Sequence, residues 1–135
     1  MLVSMLKLAL LSLTGFSIYA AVVNPATAKW SHEERDPTGT ESLVLHEDPQ
    51  SGALELFARY PAGHVFPAHW HDSNERIVLI EGRLSLREDD GEKFLEPGGF
   101  ALLAAGKVQR LACVSKSRCS FYVYWDGNPK SHSAQ

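Results

Sequence analysis

Gly63-His64-Val65-Phe66-Pro67-Ala68-His69-Trp70-His71-Asp72-Ser73-Asn74-Glu75 is the stretch on which the fold turns. Side chains two apart on a strand share a face, so His69 and His71 project together while Trp70 points the other way. Asp72, Ser73 and Asn74 are turn formers, and the strand that follows them returns alongside the first. That return places Glu75 opposite the two imidazoles. Two nitrogens and one carboxylate oxygen around a point leave coordination positions open and suit a divalent metal ion such as Fe, Mn, Zn or Ni. Glu75 is then also the candidate catalytic carboxylate. A His-x-His pair taken alone is more often just a cross-strand polar pair.

Outward from this stretch the chain reads as strands. Short apolar or alternating runs occupy 42–46, 53–60, 64–71, 75–81, 83–88, 94–96, 100–104, 107–114 and 119–125. Turn formers separate them: 48–52, 61–63, 72–74, Gly82, 89–91, 97–99 and 105–106. Runs of this length recurring every 8–12 residues predict an all-β sandwich or barrel.

Gly63, five residues, His69, one residue, His71, three residues, Glu75, six residues and Gly82 match the first motif of the cupin superfamily at every signature position. Gly91, five residues, Pro97, one residue and Gly99 resemble the opening of the second. The resemblance runs from His46 to Trp125. It implies a jelly-roll β-barrel, a metal held inside it by His69, His71 and Glu75, and a homodimer. Past the turn at Ala105-Gly106, where cupins usually present a last His ligand, this sequence has Gln109. The amide oxygen of Gln109 takes the fourth place as a departure from the family, being a weaker donor than imidazole.

Strand parity predicts the surroundings. If Gln109 faces inward, so do Leu111 and Cys113. Pairing about a turn at 115–117 sets Cys113 opposite Cys119, and Phe121, Val123 and Trp125 follow on the inner face. Ile77 and Leu79 share the parity of Glu75. These six apolar residues, Ile77, Leu79, Leu111, Phe121, Val123 and Trp125, form the wall of a pocket for a small organic ligand, or simply fill the barrel. His64 has the opposite parity to His69 and is expected at the rim or surface. His32, His46 and His132 fall in peripheral places and are expected to be solvated. Trp70, Tyr122 and Tyr124 point outward, as for a dimer face or packing against a second layer.

Both ends are read differently from the middle. Residues 1–28 combine Lys7, an almost uncharged run and the small-x-small site Ala26-Thr27-Ala28, the pattern of a secretory signal peptide cleaved after Ala28. Export to the periplasm or beyond allows a Cys113–Cys119 disulfide, and the mature chain has no segment for stable membrane insertion. Loss of Lys7 leaves 12 basic residues against 16 acidic, a formal charge of −4, which excludes nucleic acid and anionic membrane as expected partners. Residues 29–41 read as an N-terminal arm, 42–125 as the barrel and 126–135 as a polar tail lying over the surface or fraying. Two functions fit: a metal-dependent small-molecule enzyme of the oxygenase or isomerase type, or a non-catalytic metal- or ligand-binding sensory module similar to the cupin domains of anti-sigma factors.

Overall fold

A computed structural model describes residues 21–32 and 38–134. Most of the expected signal peptide and part of the expected arm therefore lie outside the described residues. The strands are β1 (Ser31–His32), β2 (Glu41–Glu47), β3 (Leu54–Tyr60), β4 (Val65–His71), β5 (Glu75–Glu81), β6 (Leu84–Glu88), β7 (Gly91–Leu95), β8 (Phe100–Leu103), β9 (Gln109–Cys113), β10 (Cys119–Trp125) and β11 (Ser131–Ser133). All nine expected strands are present, with ends shifted by up to three residues. β7 begins early, at Gly91, because Asp89 and Asp90 alone make the turn and Glu88 pairs directly with Gly91. Two short strands were not expected, β1 and β11. The second corrects the reading of 126–135 as a tail that merely covers the surface.

The strands form two antiparallel sheets. One has six strands in the order β1-β2-β3-β10-β5-β8, and the other five in the order β11-β4-β9-β6-β7. Non-consecutive neighbours in both sheets make this a jelly-roll barrel, the fold that the resemblance implies. Alternation does the sorting: along β5, Glu75, Ile77 and Leu79 are buried while Arg76 and Val78 are less so, and β9 and β10 repeat the pattern. Ile77, Leu79, Leu84 and Phe121 are almost wholly inaccessible and form the centre of the core. Each contributes roughly 1.5–3 kcal/mol by leaving water.

Two backbone features shape the barrel, one in the strand that bears the site and one at the opposite end. Phe66 pairs with Leu111 and His69 with Gln109, so three steps on β4 match two on β9. The extra residue is a β-bulge at Pro67 and Ala68, where proline has no N–H to give the ladder. It places Phe66 and His69 on the same inner face although they are an odd number apart. His64 therefore takes the parity of Phe66. It is half-buried with its ring edge-on to Tyr60, 4.6 Å between centroids, rather than at the rim. Gly82 has φ of +88°, and a Cβ there would lie 2.7 Å from the Arg118 carbonyl oxygen and 2.8 Å from Cys119 Sγ, so only glycine fits between β5 and β6.

Cys113 and Cys119 form a disulfide with Cα atoms 5.7 Å apart, joining the end of β9 to the start of β10. Both cysteines are buried in the core. The loop is short, six residues in sequence separation, so the bond is supplementary to an already extensive core. Its reduction is expected to lower the unfolding free energy by about 2 kcal/mol in a denaturant titration. An unchanged midpoint after complete reduction would show that the cross-link adds nothing.

Candidate metal centre

The bulged strand β4 brings His69 and His71 inward, and β5 opens with Glu75 directly after the turn at 72–74. The three ligand atoms these side chains offer lie within 4.8 Å of one another. All three residues are buried, with Glu75 only 3 % exposed. The two imidazoles hold a fixed tautomer. Nδ1–H of His69 donates to the Pro67 carbonyl oxygen at 2.8 Å, and Nδ1–H of His71 donates to the Pro129 carbonyl oxygen at 2.8 Å. Each Nε2 therefore carries the lone pair, and Nε2 of His71 stands 3.4 Å from Glu75 Oε2. Orientation of a ligating His by a carbonyl on its far nitrogen is how proteins fix metal ligands.

Burial sets the electrostatics of the site. Burial pulls both imidazoles below their usual pKa, overriding the carbonyl bonds that favour the charged form, so both are held neutral. Burial likewise pushes the Glu75 carboxyl from its ordinary 4.5 up to about 7, against the opposing effect of its bond from Gln109. No Lys or Arg faces this carboxylate among the groups that perturb it.

Gln109 is also buried, and its Nε2–H donates to Glu75 Oε2 at 2.6 Å. That bond turns the amide oxygen of Gln109 away from the carboxylate, and Oε1 is buried with no hydrogen-bond partner. An unsatisfied acceptor costs roughly 1–3 kcal/mol. Two imidazole lone pairs, a reluctant carboxylate and an orphaned amide oxygen, all lacking a positive charge, are a donor set that fits a divalent ion.

An apolar cavity of about 290 Å³ opens against this centre. Its wall includes the expected Leu111, Phe121, Val123 and Trp125. Ile77 and Leu79 share the inner face but are seated in the core beneath it, where neither reaches the cavity. Sequence reading missed the adjoining strand of the wall, Leu54, Leu56, Ala58 and Tyr60 beside β10, although their alternation along β3 carried the signal. Pro129 was missed as well. A residue acting through its backbone carbonyl leaves no mark in a sequence. His132, expected to be solvated, stacks on Trp70 with centroids 3.9 Å apart and bonds Asp72.

Residues 19–124 match the model of a family described as the ChrR cupin-like domain. No curated protein matches in sequence. Among solved structures, the polyketide cyclase RemF from Streptomyces resistomycificus is 18% identical, with a TM-score of 0.72, over 87% of this chain and 87% of that one. An RmlC-like cupin protein from Ralstonia eutropha is 15% identical, with a TM-score of 0.70, over 82% of this chain and 71% of that one. The cupin domain of Schizosaccharomyces pombe Cnp3 is 11% identical, with a TM-score of 0.66, over 76% and 70%. At these identities the likeness is one of fold.

In the metal-free protein Glu75 gives a signed pH dependence. Folding raises its pKa from 4.5 to about 7, so the folded state holds an extra proton between those values. The contribution of Glu75 to stability is complete below pH 4.5 and is lost as pH rises to 7, by about 3 kcal/mol. The two histidines, shifted down, act in the opposite direction below pH 6.5 and are common to wild type and Glu75→Gln. The stability difference between these two proteins is therefore expected to move against wild type by about that amount from pH 4.5 to 7. A difference independent of pH would contradict the burial of an unpaired carboxyl.

Proposed function

The chain belongs to the ChrR cupin-like domain family, and we propose that on this scaffold it holds one divalent metal ion, Fe, Mn, Zn or Ni, beside a cavity for a small organic ligand. The observation that carries this reading is the set of buried donors His69, His71 and Glu75 with both Nε2 lone pairs free, in the wall of an apolar cavity. A bound ion there supplies Lewis acidity and open positions for a ligand's oxygen atoms. His69 and His71 hold it as neutral donors. Glu75 is a third ligand and the candidate carboxylate for transient proton transfer. Gln109 orients Glu75 through Nε2 and offers Oε1 as a fourth, weak donor. Leu111, Phe121, Val123 and Trp125 exclude water and select a ligand with an apolar body. This is the equipment of a metal-dependent small-molecule enzyme of the oxygenase or isomerase type.

A second reading, a non-catalytic metal- or ligand-binding sensory module, is favoured by one observation. Apart from the three donors, Tyr60 is the sole titratable side chain among the described residues that line the cavity. Oxygen uptake by the metal-loaded protein with catechols, diketones and thiols separates the two. Turnover supports the enzyme, and tight binding without turnover supports the module.

We further propose that the protein works outside the cytoplasm, in the periplasm or as a secreted protein. The leader-like composition of residues 1–28 and the Cys113–Cys119 disulfide support this, and among the described residues no helix is long and apolar enough to cross a membrane. Self-association as a homodimer would use the outer face of the six-stranded sheet, where Ile80, Phe100 and Leu102 are each at least half exposed. The acidic balance speaks against nucleic acid as a partner.

His69→Ala and His71→Ala are each expected to abolish stoichiometric metal binding after dialysis while leaving the β-sheet circular dichroism unchanged. A variant that keeps one ion per chain would show the site to be elsewhere. Gln109→His replaces a weak oxygen donor with imidazole. It is expected to tighten zinc binding at least about tenfold, or ~1.4 kcal/mol, in competition with a chelator. Unchanged affinity would place Gln109 outside the coordination sphere. The intact mass of protein exported by its native host is expected to begin at Lys29, and a mass retaining residues 1–28 would contradict processing.

A further inference from the structure

β4 carries both histidines, and on its far side from β9 it has one neighbour, β11. Without β11, the strand that bears the metal donors would be the bare edge of the five-stranded sheet, with unpaired backbone groups and a free choice of twist. β11 comes from residues beyond the stretch matched by the family model, which ends at 124. The register is tight: Ser131 lies opposite His71, His132 opposite Trp70 and Ser133 opposite His69.

The contacts of this strap converge on the metal centre. The Pro129 carbonyl receives the Nδ1–H of His71 at 2.8 Å, and Pro129 closes one side of the cavity. Asp72 N–H donates to the Lys130 carbonyl at 3.2 Å, and the Ser73 hydroxyl donates to the Asn128 carbonyl at 2.9 Å. At its start, Asp126 receives both the backbone and the side-chain N–H of Asn74, at 3.0 and 2.8 Å. At its end, Ala134 N–H donates to the Ala68 carbonyl at 3.0 Å, beside the bulge. Between these ties His132 lies nearly parallel to Trp70, at 16° and 3.9 Å, and its Nε2 bonds Asp72 Oδ1 at 2.9 Å. The strap thus grips the chain on both sides of His71 and supplies the acceptor that fixes which nitrogen of that ring is free.

We propose that residues 126–134 are an integral part of the metal centre: the Pro129 carbonyl sets His71 in its ligating tautomer, and the stack of His132 on Trp70 clasps the strap in place. The proposal rests on the metal-site reading above. In it Pro129 and His132 are positioning residues, acting through His71 and not on the ion.

The test compares wild type with a chain ending at Asp126, with His132→Ala and with His132→Phe. Two readouts are used: zinc affinity by chelator competition, and the His71 tautomer in the metal-free protein by ¹⁵N-edited NMR of the imidazoles. Wild type is expected to show His71 as the Nδ1–H tautomer alone. The truncated chain is expected to show tautomer exchange at His71 and zinc binding weakened by at least about tenfold, the usual scale for loss of a ligand's orienting partner. His132→Ala should share both defects in milder form, and His132→Phe, which keeps an aromatic ring on Trp70, should recover most of the loss. If truncation prevents folding, the His132 variants decide the matter alone. The proposal is overturned by wild-type zinc affinity in a folded truncated chain or in His132→Ala, by weakened binding with an unchanged His71 tautomer, or by His132→Phe no better than His132→Ala. Failure of wild type to bind zinc would instead remove the metal reading, and the tautomer comparison, made without metal, would still decide the role of the strap.

Discussion

Everything about this barrel's interior depends on one electrostatic constraint: a carboxyl and two imidazoles are buried together with no positive side chain among the described residues to balance them. Glu75 is 3 % exposed, and its one hydrogen bond comes from the neutral amide of Gln109. Water lost by such a group must be replaced, or the group must stay protonated. The site's own remedy, a pKa near 7, holds only in acid. A divalent cation would answer the same need at neutral pH and satisfy the lone pairs of His69 and His71 together. The cost of burying these donors together and their capacity for metal are two descriptions of one geometry.

The fold meets that constraint with ordinary means. Two-residue alternation along β5, β9 and β10 separates the donors from the exterior, and the core of Ile77, Leu79, Leu84 and Phe121 carries the burial energy. The bulge at Pro67 and Ala68 is the one irregularity the site requires, because it turns Phe66 and His69 to the same side. The strap along β4 protects the edge of the sheet at the place where side-chain position matters most.

Local periodicity made much of this legible from sequence. The inward set Gln109, Leu111 and Cys113, its partner set Phe121, Val123 and Trp125, and the joining of Cys113 to Cys119 all follow from a period of two and a short turn. So does the grouping of His69, His71 and Glu75. What was not legible depends on backbone or on distance. The bulge shifts parity within β4, so His64 was assigned to the wrong side. Pro129 acts through a carbonyl 58 residues from His71. Three residues as polar as Ser131, His132 and Ser133 form a strand because β4 offers an unpaired edge, and composition gives no hint of it. Ile77 and Leu79 have the right parity but the wrong depth, which alternation cannot distinguish.

The central claim is that one cation sits among these donors, and anomalous diffraction tests it most directly. Crystals of the protein equilibrated with a stoichiometric divalent metal, with data collected above and below that metal's absorption edge, should give one strong anomalous peak per chain, within bonding distance of Nε2 of His69, Nε2 of His71 and a carboxylate oxygen of Glu75. A map with no peak among these three side chains, or with its strongest peak elsewhere on the chain, would contradict the account.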